Sequence, residues 1–192
     1  HFTDAIKKKE DNGPAMDLRI NMFIDATQDA AMKVIMDPVA GDNISARGSG
    51  NFQISFYNKG DFRMFGNYIV DQGMYKLSMK EIIHKDFVLK SGSTVTFTGD
   101  PYLANLDVQA VYTVNSASLS DLSTDASLTQ STVKVNCLMN LTGSLANPTI
   151  KFDLELPTVN EEDRELVRSA TSTEEQMNTQ IIYLLGIGKF YT

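Results

Sequence analysis

The sequence is poor in the residues that carry most protein chemistry. Its single cysteine, Cys137, has no internal disulfide partner, so the fold cannot depend on oxidation. That residue falls on the apolar side of "TVKVNCLMNL" and reads as a small packed hydrophobe. The histidines are His1, at the terminus, and His84, which alternates onto the polar face of its strand. There is no Gly-x-Ser-x-Gly elbow, no His-Glu-x-x-His and no cysteine cluster, so neither an enzyme nor a metal site is expected, and no cofactor is implied. "GIGK" at Gly186 to Lys189 lacks phosphate-loop spacing and follows a helical stretch, not a strand. Positive charge is also scarce: the net charge of -7 argues against nucleic acid, which needs clustered Lys and Arg to release counterions from phosphate. The one basic run, Lys7 to Lys9, reads as part of a solvated tail. No stretch approaches the roughly 20 apolar residues of a spanning helix, and no signal peptide is visible. Because the chain starts at His1 and not Met, a piece of a longer protein is expected.

Apolar residues, at 42% of 192, are nevertheless ample for one sizeable core, and they are arranged with period two. Leu18, Ile20, Met22 and Ile24 share one face of a first strand, and Met32, Val34 and Met36 of a second. Phe52, Ile54 and Phe56 come next, then a turn at "NKGD", then Phe62, Met64, Tyr68 and Val70. A turn at "DQG" precedes Tyr75, Leu77 and Met79. Ile83, Lys85, Phe87 and Leu89 lead into "KSGS", followed by Val95 and Phe97 and, after "GDP", by Leu106, Val108, Ala110, Tyr112 and Val114. Val133 to Leu141 and Ile150 to Leu156 form the last strands. Gly, Asn, Asp and Pro punctuate the runs at hairpin spacing, which predicts an antiparallel meander of about nine or ten strands. Asn115 to Thr132, rich in Ser, Thr and Asp, reads as a surface loop. After Pro157 the period changes: Thr158 or Asn160 can cap a helix over "EEDRELVRSA", and a second helix is expected over Thr173 to Leu185. The organisation expected is one domain over residues 1–192, with a disordered tail over 1–16, a β-sheet over 17–157 and a helical end over 158–192.

Such a sheet presents a covering problem. Strands of about nine residues span roughly 30 Å, and about nine of them at 4.8 Å spacing make one face on the order of 1,200 Å². Two short helices shade about a third of it. Leaving the rest wet would forfeit roughly 20 kcal/mol, more than a domain's usual stability. A closed sandwich or barrel with a dry core would solve this, and so would a curled sheet whose apolar interior takes lipid chains or unfolded apolar segments. Periodicity does not separate the two.

"GNYIVDQGMYKLSM", "FVLKSGSTVTFTGDPYLANLDVQAVYTV", "VNCLMNLTGSLANPTIKFDLELP" and "NTQIIYLLGIGKFYT" resemble, in that order, the carboxy-terminal domain of TamB, the translocation and assembly module subunit of the AsmA-like group, in its Bacteroidetes-type form. The likeness covers Leu18 to Thr192. It implies a mainly β fold, a curled antiparallel sheet forming a trough with an apolar concave face, called a β-taco, plus short C-terminal helices. It implies a periplasmic module of a protein anchored in the inner membrane by an upstream segment and reaching the outer membrane. The partners implied are phospholipid acyl chains, an Omp85-type outer-membrane barrel and outer-membrane protein clients, and the activity implied is intermembrane phospholipid transport and outer-membrane biogenesis.

In that light the expected groove lining is Phe52, Ile54, Phe56, Phe62, Met64 and Tyr75, continued by Leu77, Phe87, Leu89, Phe97, Leu106 and Val108. An ordinary core would use the same positions. Three functions stay open at this point: a lipid conduit, an assembly module offering groove or strand edges to nascent barrels, and a structural envelope domain.

Overall fold

The computed structural model describes residues 16–37, 39–122 and 132–192. The proposed tail, apart from Met16, lies outside the described residues, as do residues 123–131 of the expected loop. The strands are β1 (Arg19–Ala26), β2 (Ala31–Asp37), β3 (Asp42–Tyr57), β4 (Phe62–Met79) and β5 (Ile83–Leu89). They continue as β6 (Thr94–Gly99), β7 (Asn105–Ala117), β8 (Val133–Gly143) and β9 (Pro148–Glu155), followed by helices α1 (Glu161–Ala170) and α2 (Glu174–Ile187). All nine strands join one antiparallel sheet.

Two of its rows are broken strands. β1 and β2 pair with successive halves of β3, and β6 and β5 both lie between β4 and β7. The hydrogen-bonded order runs from β1 and β2 through β3, β4, the β6/β5 row, β7 and β8 to β9. Among the described residues β1 and β9 do not pair, so the curled sheet is open and not a barrel.

Three expectations change. "DQG" is no turn: it lies inside the 18-residue β4, where the register with β3 slips between Arg47 and Gly48. Gly48 faces Val70 and Arg47 faces Gln72, which leaves Asp71 as an extra bulged residue. A one-residue bulge moves the inward positions from Tyr68 and Val70 to Tyr75 and Leu77, so one strand keeps one face despite the switch in parity. β3 starts at Asp42, ten residues before Phe52, because Ile44 and Ala46 continue its buried row through a stretch whose Ser, Gly and Asn had masked the alternation. Asn115 to Ala117 belong to β7, and Leu119–Leu122 form a 3-10 turn whose Leu119 is fully buried.

The punctuating residues act locally as their chemistry requires. Asp100 accepts a hydrogen bond from Tyr102 N–H at 3.0 Å and opens a 3-10 turn with Pro101 at its start. Asn160 caps α1 through Asp163 N–H at 2.8 Å. Thr173 and Gln176 form a capping box on α2, which ends at Gly188 in the left-handed conformation.

Candidate functional site

The register places the inward residues of every row side by side. On β1–β3–β4–β6, Met22 faces Ile54, Ile54 faces Met64, and Phe52 and Phe97 both oppose Gly66. On β3–β4–β5, Ile44 faces Tyr75 and Tyr75 faces Phe87. Val95 faces Leu106, Val108 faces Leu141, and Leu141 faces Ile150. One apolar face therefore runs unbroken from β1 to β9.

Of the residues expected to line a groove, Phe52, Ile54, Phe56, Tyr75, Leu77, Phe87, Leu89, Leu106 and Val108 are buried on this face. Phe62, Met64 and Phe97 lie on it half-buried. Aromatic contacts tie the rows together: Phe52 meets Phe97 edge-on at 5.9 Å, and Phe87 meets Tyr112 at 5.8 Å and Phe152 at 6.3 Å between ring centroids. The same face also holds Ile44, Tyr68, Val95, Cys137, Met139 and Leu141. Their period-two spacing was the signal that could have added them.

One end of the face is covered from within the chain. α2 packs on β5, β7 and β9. Its Ile181, Leu184 and Leu185 are buried there, as is Phe190 beyond it. Gln180 holds this end in place by donating from Nε2 to Tyr191 O at 3.0 Å and accepting at Oε1 from Tyr191 N–H at 2.8 Å. Its low amphipathicity reflects Tyr183 and Ile187, which are apolar and yet exposed.

Polar groups on this face are few. Tyr75 Oη donates to the buried Asp42 at 3.2 Å, whose other carboxylate oxygen accepts from Ser78 N–H at 2.8 Å. Burial, then the Asp42 charge, pushes the Tyr75 phenol far above its ordinary value. Tyr68 carries a buried hydroxyl with no hydrogen-bond partner, and desolvation raises its pKa also. Lys85 alternates onto the face between Ile83 and Phe87, with Nζ 5.6 Å from the Tyr112 ring centroid. His84 points to the other side, its Nδ1 2.9 Å from Ser78 Oγ.

Among the described residues no three His, Cys, Asp or Glu side chains converge as metal ligands, and no helix is long and apolar enough to cross a membrane. What the described residues of this face offer is apolar contact area. Compared with protein-family models, the sequence matches the one described as "TamB C-terminal domain" over residues 2–192. No curated protein and no solved structure matches it.

Proposed function

Since the chain belongs to the TamB C-terminal domain family and is accordingly a module of the cell envelope, we propose that its apolar face is a periplasmic trough for phospholipid acyl chains in transport between the two membranes. The observation that carries this reading is the continuous apolar face of a sheet left open at both edges. The curl already buries most of this face, so acyl chains enter it by parting the rows from an open edge, and no covalent step is needed for them to advance. In this reading residues 1–192 act as one unit, the lining is the set from Phe52 to Val108 named above, and headgroups ride at the rim. An upstream anchor in the inner membrane and an Omp85-type partner at the outer membrane complete the proposed setting.

Assembly of outer-membrane barrels is the second reading, and the edges support it. β1, β2 and β9 each pair on one side only among the described residues, so their outward amides and carbonyls could accept a further strand. Both edges carry charge, Arg19, Asp25 and Lys33 on β1 and β2 and Lys151, Asp153 and Glu155 on β9.

Mass spectrometry of organic extracts from the purified protein, against a closed-core β-protein control, tests the conduit. Near-stoichiometric phospholipid is the expected result, and Phe56→Glu should remove lipid cross-linking while the strand signal in circular dichroism persists. Phospholipid no higher than in the control would end the conduit reading and shift weight to the strand edges.

A further inference from the structure

The cleft between β5 and the C-terminal half of α2 differs from the rest of the apolar face in one respect. It is a half-open cavity of ≈ 440 Å³ walled mainly by Ile82, Ile83, Ile182, Leu185 and Ile187, with His84, Tyr183 and Gly186 also on its lining, and it contains Lys85. Other strand cations, such as Lys33, Lys76, Lys134 and Lys151, occupy the alternate, outward positions of their strands. Lys85 instead stands in the inward row, opposite Leu77 and next to Phe87. It forms no ion pair among the described residues. Asp42, the carboxylate on the same face, is two strands away across Leu77 and is already held by Tyr75 and Ser78. A half-buried ammonium with only a ring face beside it is incompletely compensated, and an anion arriving there regains what desolvation removed. Mainly apolar walls around a cation with no ion pair among the described residues match a molecule with the reverse arrangement, an anionic head on apolar chains.

We propose that Lys85 is the headgroup contact of the trough: its ammonium binds the phosphate of a phospholipid whose acyl chain lies against the isoleucine walls of the β5–α2 cleft. This rests on the acyl-chain reading above and adds to it the place where the head is held. It also orients the lipid, since the chain then lies along Ile83, Ile182 and Leu185 and the head points outward past Ile82, which is 82% exposed.

The test uses the delipidated 192-residue chain, titrated with monomeric dihexanoyl phosphatidate and, separately, with dihexanoylglycerol, which has the same chains and no phosphate. Lys85→Met keeps the apolar stem and removes the charge. Phosphatidate affinity should fall about tenfold in this variant, the scale of one charge-assisted hydrogen bond, while the glyceride binds both proteins alike. Lys85→Arg should restore phosphatidate binding to within a few-fold. In the wild-type chain, independently of any variant, the preference for phosphatidate over the glyceride should shrink as salt rises.

Equal phosphatidate binding by wild type and Lys85→Met overturns the assignment while leaving the trough intact. Parallel loss of both lipids in a folded Lys85→Met overturns it too, because Lys85 would then act by packing. A salt-independent preference has the same effect. Inorganic phosphate competing as well as phosphatidate would make this a free-anion site and not a lipid one. Failure of the wild-type chain to bind either lipid removes the trough reading itself, and the headgroup site with it.

Discussion

Cys137 lies in the middle of β8 with Tyr112 and Leu154 opposite it on the neighbouring strands, fully buried. Burial pushes its thiol up to about 12, because a thiolate there would lose its hydration without gaining a partner. The native state therefore holds the proton above the pH at which the unfolded chain releases it. With the folded value raised, the stability linked to this group is intact below about pH 9 and is lost as pH rises towards 12. At about 1.36 kcal/mol per unit, the loss over that span is on the order of 4 kcal/mol. Urea denaturation at stepped alkaline pH should show it as a difference between wild type and Cys137→Ala, which is weaker at neutral pH but loses less on the way up. Tyr75 titrates in the same direction in both proteins and drops out of the comparison. Parallel pH curves for the two proteins would contradict this account.

At the scale of elements, β4 is the strand on which the architecture turns. It pairs from Phe62 to Lys76 with β3 and, on its other side, first with β6 and then with β5. That arrangement needs the bulge at Asp71 and close approach of backbones at Gly66. Gly66 has φ +139, and a Cβ there would sit 2.3 Å from Asn51 O and 2.7 Å from Phe52 Cδ1. Glycine is required on both counts: the dihedral strains L side chains, and the Phe52 ring occupies the space. Gly66→Ala should lower stability by about 2–4 kcal/mol, seen as a lower urea midpoint with an unchanged slope. A change below about 0.5 kcal/mol would mean that β3 and β4 can separate here at little cost.

The whole molecule is a sheet curled so that, with α2 at one end, most of its apolar face is buried within the chain. α2 occupies the β5–β7–β9 end. A chain ending before α2 should keep its strand circular dichroism and bind an environment-sensitive apolar dye several-fold more strongly; an unchanged dye signal would mean that α2 shields little. Much of this organisation was legible in the residues. Alternation decides which side chains share a face, so the row from Ile54 to Met64 and the inward position of Lys85 follow from spacing, while local chemistry narrowed the first helix cap to Thr158 or Asn160, of which Asn160 is used. Other features depend on partners distant in the chain. Whether "DQG" turns or bulges is decided by whether β3 extends far enough, back to Asp42, to pair with both halves of β4. Likewise, period two gives the same signal for an open sheet and a closed barrel, because the side-chain pattern within a strand does not depend on whether the first row meets the last. Only the tertiary pairing decides that: among the described residues it leaves β1 and β9 apart while the curl buries most of the apolar face between them, and it sets Lys85 without an ion pair beside α2.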